Sequence, residues 1–256
     1  MEVSRCWSRF QRWLRLARRE LRREYGLSKS AQRERSPVGI KFALEELFAL
    51  SLSKSKKNKR NKRMAVKLSK GDRISLDKEA GTTLTKIIMG LGWDAMKTKG
   101  FFGFGGKSQE IDLDASCLMF DLSNNLVDMV WFQQLASKDG SIRHSGDNRT
   151  GAGEGDDEQI VVDLSRIPAN IKTLVFTVNS FTGQSFAQIE NAFCRIINGA
   201  NNAEVARYQL SCNGTHTAQI MAKVYRHNNE WKMHALGENA SGRTFQDMLP
   251  KITPHL

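Results

Sequence analysis

From Met64 onward, apolar and polar residues alternate over short stretches separated by turn residues. "QIVVDL", "TLVFTVNSF", "EVARYQL", "AQIMAKVYRH" and "EWKMHAL" are rich in β-branched and aromatic residues, and each predicts a strand. "EIDLDASCLMFDL" and "VDMVWF", joined by "SNN", predict a strand pair. "HNN" ahead of "EWKMHAL" predicts a hairpin turn. "DRISL", closed by "DKEAG", and "LTKIIMGLGWD" predict two earlier strands. Helical patterns are few: "SFAQIENAF", and "RTFQDMLPKI" near the C-terminus. Many short strands with few helices predict a mainly β chain, a two-sheet β-sandwich with peripheral helices.

The first 63 residues follow another pattern. Trp7, Phe10, Leu14, Ala17 and Leu21 recur at helical spacing with arginines on the other faces, which predicts a basic amphipathic helix. "IKFALEELFALSL" predicts a second helix, and "KSKKNKRNKR" is a charge run. Residues 1–63 carry 19 Lys+Arg against 6 Asp+Glu, so +13, while the whole chain is +12. The remaining residues therefore sum to −1, and all the basicity belongs to this extension. Contact with an anionic membrane or nucleic acid is an expectation for 1–63. Residues 64–256 have no basic excess and predict no nucleic-acid binding. "KKNKRNKR" directly before "MAVKLSKGD" also reads as a translated purine-rich ribosome-binding site. Met64 is then the expected native start and 1–63 an upstream extension.

The four cysteines form no C-x-x-C, so neither a disulfide framework nor a structural zinc site is expected. No apolar run approaches the ~18 residues of a membrane span, and arginines interrupt any secretory signal. The expected location is the cytoplasm. Trp93 and Trp131 are expected in the core, Cys117 and Cys194 as buried thiols, and His216, His227 and His234 on strand surfaces.

Candidate chemistry concentrates in two acidic segments. "GDNRTGAGEGDDE", Gly146–Glu158, holds four glycines and five carboxylates in thirteen residues. It is too polar for core and too rich in glycine for helix or strand, so it reads as a loop. Water solvates such a loop, or a cation gathers it. Asp147, Asn148, Glu154, Asp156, Asp157 and Glu158 offer the oxygen donors a hard cation prefers. An EF-hand does not fit, because Arg149 and Gly151 occupy two ligand positions and Ala152 the obligatory glycine. The second segment is "EIDLDAS". Asp112 and Asp114 are two apart, hence on one face of a strand, and their repulsion becomes favourable around a divalent ion.

"VKLSKGDRISL", "GLGWD", "IDLDAS", "GDNRTGAGEGDDE" and "NSF…ENAF.RI", in this order, resemble the TerD family of bacterial tellurium-resistance proteins. "TLTKIIMGLGWDAMKTKGFFGFGG" and "VWFQQLASKDGSIRHSGDNRTG" resemble its TerZ branch. The resemblance covers Met64 to Leu256 and not residues 1–63. It implies a calcium-binding β-sandwich acting in tellurite resistance and stress response, with partner proteins in a membrane-linked complex. It implies Ca2+ ligands at Asp112, Asp114, Asp147, Asn148, Asp156, Asp157 and Glu158, with Glu154 less constrained. Gln133 and Gln134 stand where other members have two asparagines. Two competing readings remain: metal-dependent hydrolysis by the acidic cluster, and tellurite handling by thiols. No nucleophile with a paired base supports catalysis, so the expectation is a non-enzyme.

Overall fold

A computed structural model describes residues 64–95, 111–146 and 155–256. The predicted helices before Met64, residues 97–107, and Asp147, Asn148 and Glu154 lie outside the described residues.

Two six-stranded sheets form a sandwich, as the alternation predicts. Sheet A contains β1 (Val66–Leu68), β3 (Lys86–Ala95), β6 (Ile142–His144), β7 (Glu158–Asp163), β9 (Ile189–Asn198) and β10 (Glu204–Gln209) in the order β1-β10-β9-β3-β7-β6. Sheet B contains β2 (Arg73–Ser75), β4 (Leu113–Asp121), β5 (Leu126–Val130), β8 (Ile171–Ser180), β11 (Ala218–His227) and β12 (Glu230–Ala240) in the order β2-β12-β11-β8-β4-β5. All pairings are antiparallel except β1 with β10.

The period of two decides which residues meet between the sheets. Ile87, Met89, Leu91 and Trp93 of β3 face Leu113, Ala115, Cys117 and Met119 of β4 in one core. Leu118 and Phe120 take the opposite face of β4. There they join Phe245, Met248 and Ile252 of the C-terminal helix α2 (Phe245–Ile252), which lies across the outside of sheet B. A capping box at Thr244 and Asp247 starts α2, and Trp131 meets Phe245 edge-on with ring centroids 5.2 Å apart.

The turns follow their residues. Asn228 and Asn229 have φ of 51° and 60°, so "HNN" makes the two-residue hairpin turn that matches strand twist. Asn124, at φ 63°, turns β4 into β5. The stretch closing β2 is a short helix, α1 (Leu76–Ala80), started by Ser75 and ended at Gly81 with φ 68°.

Two expectations are corrected. "SFAQIENAF" is not a helix: a single 3-10 turn at Phe186–Gln188 leads into strand β9. Ala192, Cys194 and Ile196 are all buried at spacing two, and pairing with β3 and β10 overrides the local propensity. Two of the three histidines are buried rather than on the surface. His216 stacks on Phe186 at 4.8 Å and is 8 % exposed, and His234 is 9 % exposed. His227 alone of the three is exposed.

Candidate metal centre

Trp93, Cys117 and Cys194 are core residues as expected, while Trp131 packs at the margin of the outer cluster. The acidic residues gather at one end of the sandwich, but they point in different directions. The reason begins in β3, where "GLGWD" places Gly90 and Gly92 on the outer face of sheet A. Gly90 lies opposite Gln159 on one side and Arg195 on the other. Asp156 folds over the bare glycine and fills that gap. Its Oδ1 accepts from Arg195 Nε at 2.7 Å and its Oδ2 from Gln159 Nε2 at 3.1 Å. Gly92 lets the carbonyl of Gly155 approach in the same way. Arg195 continues to Glu204 at 2.9 Å, which also binds Arg207 at 2.8 Å. Asp156 thus ends a chain of ion pairs across the sheet.

Asp157 sits at the end of β3. Its N–H donates to the Leu91 carbonyl and its Oδ2 accepts from the Trp93 N–H at 2.9 Å. Burial pushes its carboxyl up, the Trp93 N–H opposes that, and the charges of Asp94, Asp156 and Glu158 add to the rise. Asp94 accepts from Asn191 Nδ2 at 3.0 Å.

Glu158 opens β7 and points between the sheets, where it is fully buried. Its Oε2 accepts from the Ala115 N–H of β4 at 2.7 Å and lies 3.4 Å from His144 Nε2. His144 accepts from the Gly146 N–H at Nδ1, which directs the Nε2 proton toward Glu158. This bond ties the two acidic segments together across the sandwich.

On β4, Leu113 and Ala115 face the core, so Asp114 takes the outer face of sheet B, and Asp112 immediately precedes the strand. Asp114 is 4 % exposed and pairs across the ladder with Asn179, whose amide donates to the Arg243 carbonyl at the start of α2. Gln134 is occupied by the loop: its amide donates to Asp128 Oδ1 at 3.0 Å and to the Met129 carbonyl at 2.7 Å. Gln133 is exposed.

Among the described residues no three His, Cys, Asp or Glu side chains converge as a finished metal site. Asp112, Asp114 and Asp157 offer hard oxygen donors, and the mutual repulsion felt at Asp157 is what a divalent cation relieves. The donor set fits calcium and not a soft metal, because no cysteine lies in either acidic segment. The site depends on Gly90, Gly92, Trp93, Asp94 and Arg195, none of which was singled out as a site residue. Two glycines inside a strand pattern mark a close backbone approach, and that signal was present.

No helix among the described residues is long and apolar enough to cross a membrane. Residues 64–251 match the TerD domain model. The tellurium resistance protein TerZ of Serratia marcescens is 48 % identical over 185 residues, 72 % of this chain and 94 % of that protein. The stress response protein SCP2 of Bacillus subtilis (strain 168) is 41 % identical over 199 residues, 73 % of this chain and 99 % of that protein. A crystal structure of a homologue of telluride resistance protein (TerD) from Streptomyces coelicolor A3(2) superposes with a TM-score of 0.51 at 20 % identity, covering 62 % of this chain and 92 % of that one. The chain is therefore a member of the TerD family of tellurium resistance and stress response proteins, with a TerD domain at residues 64–251.

Proposed function

We propose that the protein binds calcium at the acidic end of the sandwich. It then serves tellurite resistance and the chemical stress response without catalysis, through partner proteins in a membrane-linked complex reached from the cytoplasm. The observation that carries the calcium reading is the 2.7 Å bond from the Ala115 N–H to Glu158, which holds the "IDLDAS" and "GDDE" segments side by side. In this reading Asp112, Asp114 and Asp157 supply oxygens, and Asp147, Asn148 and Glu154 are the further donors offered by the sequence. Glu158 buttresses the site through β4, and Asp156 anchors the loop to Arg195. Cation binding draws like-charged carboxylates together and so couples occupancy to local order. The reading is tested in cells. Replacing the native protein with Asp112→Asn/Asp114→Asn is expected to abolish tellurite resistance at an unchanged protein level. Full resistance in that variant would overturn the proposal.

Thiol handling of tellurite has less support. Cys117 and Cys194 are fully buried. Burial pushes the Cys194 thiol up to about 12 and the Cys117 thiol higher still. Neither is a thiolate at neutral pH. We expect iodoacetamide at pH 8 to leave both unmodified in the native protein and to label both in denaturant, with half-buried Cys212 reacting first. Peptide mass spectrometry reads the result, and native labelling of Cys194 would revive the thiol reading.

A further inference from the structure

The outer face of sheet B carries a second charged feature, far in register from Asp114. Arg73 of β2 stands opposite His234 of β12, which stands opposite Lys223 of β11. Met233 and Val224 point into the inter-sheet core, so His234 and Lys223 point outward. Side chains directly opposite in such a ladder are about 5 Å apart, and like charges there destabilise the sheet. Lys172 of β8 adds its charge to Lys223, and His255 of the C-terminal turn adds its charge to His234.

No carboxylate forms an ion pair with any of these five groups among the described residues. Glu230 lies four residues along β12 from His234, about 13 Å away, and accepts from the Ser75 hydroxyl. Lys232 lies between them and adds a further positive charge. Lys223 donates to the His255 carbonyl, which uses one of its three protons. His234 is 9 % exposed, and its Nδ1 has no hydrogen-bond partner. A buried ring nitrogen without a hydrogen-bond partner is costly, and an anionic acceptor there would also offset the positive charge around it.

We propose that Arg73, Lys223 and His234 form an oxyanion-binding site for a phosphate-type dianion. Three donors at ladder spacing suit a tetrahedral anion with several oxygens. The Arg73 guanidinium supplies a fork, Lys223 a point charge, and His234 a ring nitrogen that donates once protonated. Burial, together with Arg73, Lys223 and His255, lowers the His234 imidazole to about 4 without the anion. A dianion cancels the neighbouring charges, so binding takes up a proton at that ring.

The test uses the full chain and inorganic phosphate, with potassium chloride at matched ionic strength as reference. Imidazole resonances are followed by NMR, and His234→Gln identifies the His234 signal. Phosphate is expected to shift that signal saturably and to raise its protonation midpoint, while chloride leaves both unchanged. The exposed Arg73→Gln variant is expected to weaken the response about tenfold, the loss of one charge-assisted bond, with its amide spectrum otherwise native. A His234 signal unmoved by phosphate overturns the proposal, and so does an equal response in Arg73→Gln. Vesicles containing phosphatidate then identify the source of the phosphate group. A His234 response that Arg73→Gln abolishes assigns it to a lipid headgroup, and a response to free phosphate alone assigns it to a soluble anion.

Discussion

Glu158→Ala is expected to destabilise the folded chain by about 3 kcal/mol. The substitution removes the acceptor of the Ala115 N–H and the carboxylate facing His144, at a site with no exposure. The cost is that of stranding buried polar groups and opening a cavity between the sheets. Glu158→Gln keeps an oxygen at the position that serves both the Ala115 N–H and His144 Nε2 but removes the negative charge, so about 1 kcal/mol is expected. Denaturant unfolding checks both, with an unchanged m-value showing that the same surface is exposed. The expected order is wild type, then Gln, then Ala. Loss of less than about 0.5 kcal/mol in Glu158→Ala would mean that the bond between the acidic segments contributes little.

Gly90→Ala is expected to cost about 2 to 3 kcal/mol by overpacking, although it adds one methyl group on the outside of a sheet. The new Cβ overlaps the Asp156 carboxylate, which is short and held on both sides by Arg195 and Gln159. To admit the methyl, Asp156 must leave the Arg195 pair. The cost therefore depends on Asp156, and a double-mutant cycle exposes it. Asp156→Ala/Gly90→Ala is expected to be less destabilised than the two single changes sum to, by about 1 kcal/mol or more. Strict additivity would show that the glycine is needed for another reason.

The architecture follows from the alternation of apolar residues, because a sheet with one buried face must repeat at spacing two. β7, β8, β11 and β12 lie where that pattern places them. "SFAQIENAF" deceived because Phe186 and Ile189 are spaced as in a helix, while the strand period becomes clear only further on, through Cys194 and Ile196. β1 and β6, three residues each, are too short to carry a period. Within the candidate site, the pairing of "IDLDAS" with the acidic loop followed from chemistry and resemblance, since carboxylates are the shared donor type. The division of labour among Asp156, Asp157 and Glu158 did not. Three adjacent carboxylates look alike in sequence, and only the glycines beneath, Arg195 alongside and the Ala115 N–H opposite give each its own direction. His234 escapes the pattern for a related reason: a histidine in an alternating strand has the surface parity, yet here it is 9 % exposed.

The calcium reading rests on a binding event, and calorimetric titration of the full chain with Ca2+ measures it. Saturable binding is expected, with the number of ions telling whether the two acidic segments share one cation or hold two. Asp112→Asn/Asp114→Asn is expected to abolish that binding. Asp156→Asn is expected to retain it, because that carboxylate already serves Arg195. No binding heat and no rise in unfolding temperature at millimolar Ca2+ would contradict the reading and leave the acidic end as a solvated loop on a TerD sandwich.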